Sequence, residues 1–205
     1  MSAATSNGDD SHAPSIWTSA NVVTCVRVVA VPLWLLVAEL SPATGMGSSW
    51  SVGVFLFFVV LSLTDKLDGY LARSRNEVTT FGKFLDPIAD KLVVVVALCF
   101  LLERGEVSSW VLLVIVAREF LVSGLRMVVA SAGTVIAASP LGKGKTAVTM
   151  VAISALLLAM ALPLGTLSDG VELFGQILMV AAVILTAWSG IDYFVKAWSF
   201  IAGER

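Results

Sequence analysis

Residues 50–103 read WSVGVFLFFVVLSLTDKLDGYLARSRNEVTTFGKFLDPIADKLVVVVALCFLLE. Two apolar runs flank a polar, charged centre. A bilayer span takes about 20 mostly apolar residues, and each flank provides one. Working outward, the same criterion predicts six spans, at roughly 21–40, 50–73, 84–103, 108–130, 146–164 and 172–199. The whole chain agrees: 205 residues are 58% hydrophobic and only 14% charged, with mean hydropathy +0.92. A soluble domain of this size does not hide so much apolar surface. The composition also excludes a disordered chain. The fold class expected is an all-α polytopic membrane protein of six transmembrane helices. A net charge of -2 provides no basic field to recruit nucleic acid.

Residues 1–14, MSAATSNGDDSHAP, are expected to form a polar, disordered tail. Residues 15–205 form the membrane domain, and 13–20 read as a short interfacial helix. Arg73, Arg75, Lys83, Lys143 and Lys145 fall in loops of one side, with Arg126, Lys196 and Arg205 near that side. The opposite loops hold Arg104 beside Glu103 and Glu106. The positive-inside rule puts both termini in the cytoplasm. His12 is the only histidine, so histidine triads and histidine-bound zinc are not expected. Cys25 and Cys99 read as buried small hydrophobes. Trp17, Trp50, Trp110 and Trp198 lie near span ends, as interfacial belts require. Trp34 and Trp188 fall inside spans, packed or facing lipid.

Intramembrane charges are costly and mark function by default. The charged centre holds Asp65, Asp68, Asp86 and Asp90. The first two are three apart and the last two four apart, so each pair shares a helix face. Gly69 and Ala72 share the first face, and Gly82 lies one turn before Asp86. Two antiparallel helices joined by a short basic loop would bring the faces together near the cytoplasmic surface. Four carboxylates repel there unless protonated or bridged by cations. An all-oxygen set suits Mg²⁺ or Mn²⁺, and two such ions beside small residues make a pyrophosphate site. A structural charge network or a cation path competes for one or two aspartates; four at facing spacing favour the ligand site.

This segment resembles the signature of the CDP-alcohol phosphatidyltransferase family, D-x2-D-G-x2-A-R-x8-G-x3-D-x3-D. Asp65, Asp68, Gly69, Ala72, Arg73, Gly82, Asp86 and Asp90 match every fixed position. Further stretches resemble the members that use sn-glycerol 3-phosphate. These are Asn21, Thr24, Arg27 and Pro32; the run Arg118-Glu119-Phe120 with Val122-Ser123-Gly124-Leu125-Arg126; Gly142-Lys143-Gly144-Lys145-Thr146; and Trp188-Ser189-Gly190-Ile191-Asp192-Tyr193. Ala20 and Met150 stand where those members often carry proline and glutamine.

The resemblance implies a six-helix domain of the cell (plasma or inner) membrane, forming a homodimer, with its active site facing the cytoplasm. The donor would be CDP-diacylglycerol, bound by Asp68, Gly69, Ala72, Arg73 and Gly82. Asp65, Asp68, Asp86 and Asp90 would hold two Mg²⁺ or Mn²⁺ ions, and Asp90 would be the catalytic base. The acceptor is argued from charge: Arg118, near mid-span, and Arg126, Lys143 and Lys145 would form a phosphate pocket for sn-glycerol 3-phosphate. Glu119 points about 100° from Arg118 on a helix and is not expected to pair with it. Competing acceptors within the family are inositol phosphate and phosphatidylglycerol. A membrane prenyltransferase would need two separated aspartate motifs, and a divalent-cation transporter would line its acids across the bilayer.

Overall fold

A computed structural model describes residues 18–40, 47–75, 80–131 and 140–202. The expected tail at 1–14 lies outside them. The described residues form six helices and no strand: α1 Ser19–Glu39, α2 Ser49–Arg75, α3 Thr80–Glu103, α4 Ser109–Ser131, α5 Pro140–Ala161 and α6 Thr166–Ile201. The six-helix all-α expectation holds. Ser19 and Ala20 belong to α1, whose N-cap Thr18 accepts a hydrogen bond from Asn21 N at 3.3 Å.

Local sequence explains the ends. α3 stops because Gly105 takes φ +78°. There Gly105 N donates to Leu102 O at 3.1 Å and Glu106 N to Leu101 O at 2.9 Å, the paired bonds of a Schellman cap. α5 ends at Ala161, two residues before Pro163. α6 begins six residues before the expected 172, at Thr166. Ser168 Oγ there donates to Gly165 O at 2.9 Å and accepts from Gly165 N at 3.1 Å. Its 36 residues reach about 54 Å, well beyond a hydrocarbon core of about 30 Å.

α1, α5 and α6 contain uninterrupted stretches apolar and long enough to cross a bilayer, Asn21–Glu39, Gly144–Ala161 and Thr166–Trp198. α4 has the length, but carries Arg118, Glu119 and Arg126 within it. The outward face of α6 shows why water is the wrong solvent. Leu173, Ile177, Val180, Ile184, Trp188, Ile191 and Val195 are all exposed at helical spacing. Its other face buries Met179, Ala182, Thr186, Ser189 and Tyr193. The protein is a membrane protein.

The core runs through the bundle, from Val31 and Phe58 to Ile153, Leu156 and Met179, and its aromatic part forms where α1, α2 and α3 meet. Trp34 is buried, with Phe58 tilted and Phe100 edge-on against it at centroid distances of 5.8 and 5.6 Å. Its Nε1 donates to Val54 O at 3.0 Å, so the indole meets its polar need inside the bundle. Of the two mid-span tryptophans, Trp34 is packed and Trp188 faces outward. The cysteine expectation fails at Cys99, which is exposed on α3; Cys25 is half-buried. Away from the aspartates, Arg104 lies over the Phe100 ring at 4.9 Å and reaches Ala38 O at 3.5 Å and Glu39 at 4.0 Å. It ties α3 to α1. In the same connection, burial holds the Glu106 carboxyl above the usual range, and the charge of Glu172 adds to the shift.

α5 and α6 pack tightly at Gly175. A Cβ there would lie 2.9 Å from Leu156 Cδ2 and 3.2 Å from Leu156 N. A Cβ on Gly124 would meet nothing within 4 Å, so Gly124 makes no close helix contact within one chain. Gly175→Val should therefore destabilise the detergent-solubilised protein by about 1–3 kcal/mol, while Gly124→Ala leaves it unchanged or slightly more stable. Thermal unfolding of the two variants checks this; equal melting temperatures would contradict the packing.

Candidate active site

The polar residues of α3, α4, α5 and α6 converge on one region. α4 provides Arg118, Glu119, Ser123 and Arg126. Arg118 Nη1 donates to Glu119 Oε1 at 3.0 Å, and Lys145 Nζ from α5 donates to the same oxygen. Lys145 is buried at 5% exposure, so this carboxylate is its principal counter-charge. The expectation that Glu119 would not pair with Arg118 is corrected. The 100° step separates the Cβ atoms, but the two long side chains close it at their tips.

α6 carries the other half of the cradle. Arg118 Nε donates to Ser189 Oγ at 3.1 Å, and Arg126 Nη2 donates to the Tyr193 hydroxyl. Both guanidiniums lie over the Tyr193 ring, at 5.6 and 5.0 Å from its centroid. Tyr193 is buried and fixes the separation of the two arginines. A Cβ on Gly190 would come 3.2 Å from Arg118 Cγ, so the missing side chain makes room for the arginine stem. The Ser189-Gly190 pair thus serves a contact within the chain.

Two neighbouring cavities open here. One, of about 430 Å³, is lined by Arg118, Arg126, Ser123, Gly142, Lys145 and Tyr193, among others. The second, of about 340 Å³, holds Asp90 with the apolar Val94, Val95 and Ile115. Pro87, Lys91, Glu119, Arg126, Lys145 and Thr146 line both. The expected convergence of Arg118, Arg126 and Lys145 is therefore present.

At Asp90, Arg27 Nη1 of α1 approaches Oδ1 at 3.4 Å; the arginine side chain is 3% exposed and the carboxylate 48%. A buried guanidinium thus orients a carboxylate that stays open to a ligand. Asp65 and Asp68 lie in the last turns of α2, and Asp86 and Asp90 in the first turns of α3. The side chains of Asp65, Asp68, Gly69, Ala72, Arg73, Asp86 and Lys143 fall outside the described residues. Gly82 is buried near the start of α3.

Several site residues escaped the sequence reading. Lys91 lines both cavities and donates to Ser123 Oγ. Its position directly after Asp90 was a usable signal. Tyr193 and Ser189 offered none beyond their place in the last-helix motif, because their partners lie 67 and 71 residues away.

The CDP-alcohol phosphatidyltransferase profile matches residues 17–188. This chain belongs to that family. A protein of Bacillus subtilis named CDP-diacylglycerol–glycerol-3-phosphate 3-phosphatidyltransferase is 38% identical over 191 residues, covering 87% of this chain and 94% of its own. Proteins with the same name from Rickettsia bellii and Shigella flexneri are 41% and 38% identical. The first match covers 85% of this chain and 92% of the relative; the second covers 86% and 92%. Members of the family generally depend on a divalent metal.

Tyr193→Phe keeps the ring beneath both guanidiniums and removes the hydroxyl that Arg126 reaches. Affinity for a phosphate monoester should fall about 3- to 10-fold in this variant, and further in Tyr193→Ala. Calorimetric titration of the purified protein measures it; unchanged affinity in both variants would contradict the cradle.

Proposed function

We propose that this chain transfers the phosphatidyl group of CDP-diacylglycerol to sn-glycerol 3-phosphate, giving phosphatidylglycerophosphate and CMP. The observation that carries the acceptor is the pairing of the two cavities. One is basic enough for a phosphate dianion, and the one beside it contains Asp90. The names of the relatives support the same acceptor.

In this reading the acceptor phosphate lies between Arg118 and Arg126, with Lys143 and Lys145 adding charge. Its terminal hydroxyl points to Asp90, which takes the proton. The freed oxygen attacks the phosphorus bearing diacylglycerol. The bond from that phosphorus to the CMP oxygen breaks, and CMP leaves with the electron pair. Arg27 acts earlier, by holding the Asp90 carboxylate in place.

Asp65, Asp68, Asp86 and Asp90 would hold Mg²⁺ or Mn²⁺. The donor set fits, since carboxylates alone provide it and Asp90 remains half exposed. When bound, the ions supply charge neutralisation for the pyrophosphate and the departing CMP. Asp68, Gly69, Ala72, Arg73 and Gly82 would line the CDP site; buried Gly82 suits a wall that a ligand approaches closely.

The diacyl tails would lie in the bilayer against the exposed apolar faces. Lysines and arginines concentrate at the aspartate-bearing end, which supports a cytoplasmic active site, cytoplasmic termini and a multi-pass topology in the plasma or inner membrane. Two copies would associate as a homodimer.

CMP release by purified protein with CDP-diacylglycerol tests this. Release should require sn-glycerol 3-phosphate, stop with EDTA and return with Mg²⁺ or Mn²⁺. Asp90→Asn should lower kcat by about 10²–10⁴-fold while still binding the donor. Release with inositol phosphate or phosphatidylglycerol, but not with glycerol 3-phosphate, would overturn the acceptor.

A further inference from the structure

A carboxylate is an unexpected lining for a cavity that takes an anion. Glu119 lines both cavities, where it opposes the charge of Lys91, Arg118, Arg126 and Lys145. If it only braced α4 against α5, it would weaken phosphate binding by repulsion and give the ligand nothing in return. Its two oxygens differ. Oε1 accepts from both Arg118 and Lys145, and among the described residues none donates to Oε2. The side chain is 21% exposed, so the remaining oxygen keeps access to a ligand.

The position of Glu119 suggests what it meets. A three-carbon acceptor with its phosphate on Arg118 and Arg126 and its reacting hydroxyl at Asp90 must cross from one cavity into the other. It crosses at their common wall, which contains Glu119. The group at the crossing is the central carbon and its hydroxyl. A hydroxyl is a donor, and a carboxylate already anchored through one oxygen is a preorganised acceptor for it.

We infer that Glu119 determines specificity by accepting a hydrogen bond from the non-reacting middle hydroxyl of the acceptor, selecting a three-carbon phosphate monoester hydroxylated at its central carbon. The inference rests on the acceptor reading above. A ligand lacking that hydroxyl leaves the carboxylate oxygen desolvated and unmatched, which is a strong basis for rejection.

The test compares sn-glycerol 3-phosphate with 3-hydroxypropyl phosphate, which keeps the phosphate and the reacting hydroxyl and lacks the middle one. The readout is the ratio of kcat/KM for the two, within one preparation, so the folded fraction of a variant cancels. The wild-type protein should prefer glycerol 3-phosphate by about 10- to 100-fold. Glu119→Gln should narrow the preference, and Glu119→Ala should bring it within about threefold of unity. If a variant turns over neither compound, the ratio of their dissociation constants provides the same comparison.

A pure brace would slow both substrates equally. An unchanged ratio in Glu119→Ala therefore overturns the inference, as does a wild-type ratio near one. Failure of the acceptor reading looks different: the wild-type protein would release no CMP in response to glycerol 3-phosphate at all.

Discussion

An arginine in the middle of a membrane helix must find partners inside the protein, because the lipid offers none. α4 carries that problem at Arg118, with the more exposed Arg126 nearer the end of the helix. The solution is shared between two helices. α6 presents Ser189, Tyr193 and the bare backbone of Gly190, while Glu119 joins Arg118 to Lys145 of α5. Satisfying these charges fixes how α4, α5 and α6 sit together. The same requirement produces the basic cavity, so the groups that make the bundle electrically tolerable are those available to an anionic ligand.

The rest of the fold serves that end of the molecule. The aromatic cluster around Trp34 sets α1 against α2 and α3. That packing brings Arg27 to Asp90. Arg104 secures the far end of α3 on α1. Among the described residues of the far end Arg104 pairs with Glu39, while Glu106 and Glu172 face each other as like charges; the charged groups of the near end surround two open cavities. This asymmetry is what a transferase at one membrane face requires, and a permeation path would not have it.

Much of this was legible in the sequence. Hydropathy located the six helices to within a few residues, except where capping extended α6 and where α5 began earlier, at Pro140. The spacing of Asp65, Asp68, Asp86 and Asp90 pointed to the family, which the profile match over residues 17–188 bears out. Arg118 and Arg126 were legible because charge in an apolar run stands out. Partners were harder. Arg27 meets Asp90 across 63 residues, and no local pattern encodes that. Glu119 was misread because helical angles describe where side chains start, and long charged chains end elsewhere. Trp34 and Trp188 both lie in uniformly apolar spans, where sequence gives no contrast between core and lipid. The same lack of contrast hid the exposure of Cys99.

A structure of the protein with sn-glycerol 3-phosphate bound would test the arrangement most directly. Phosphate density should lie between Arg118 and Arg126 above Tyr193, with the terminal hydroxyl within hydrogen-bond reach of Asp90. Phosphate density away from both arginines, with the hydroxyl remote from Asp90, would contradict it.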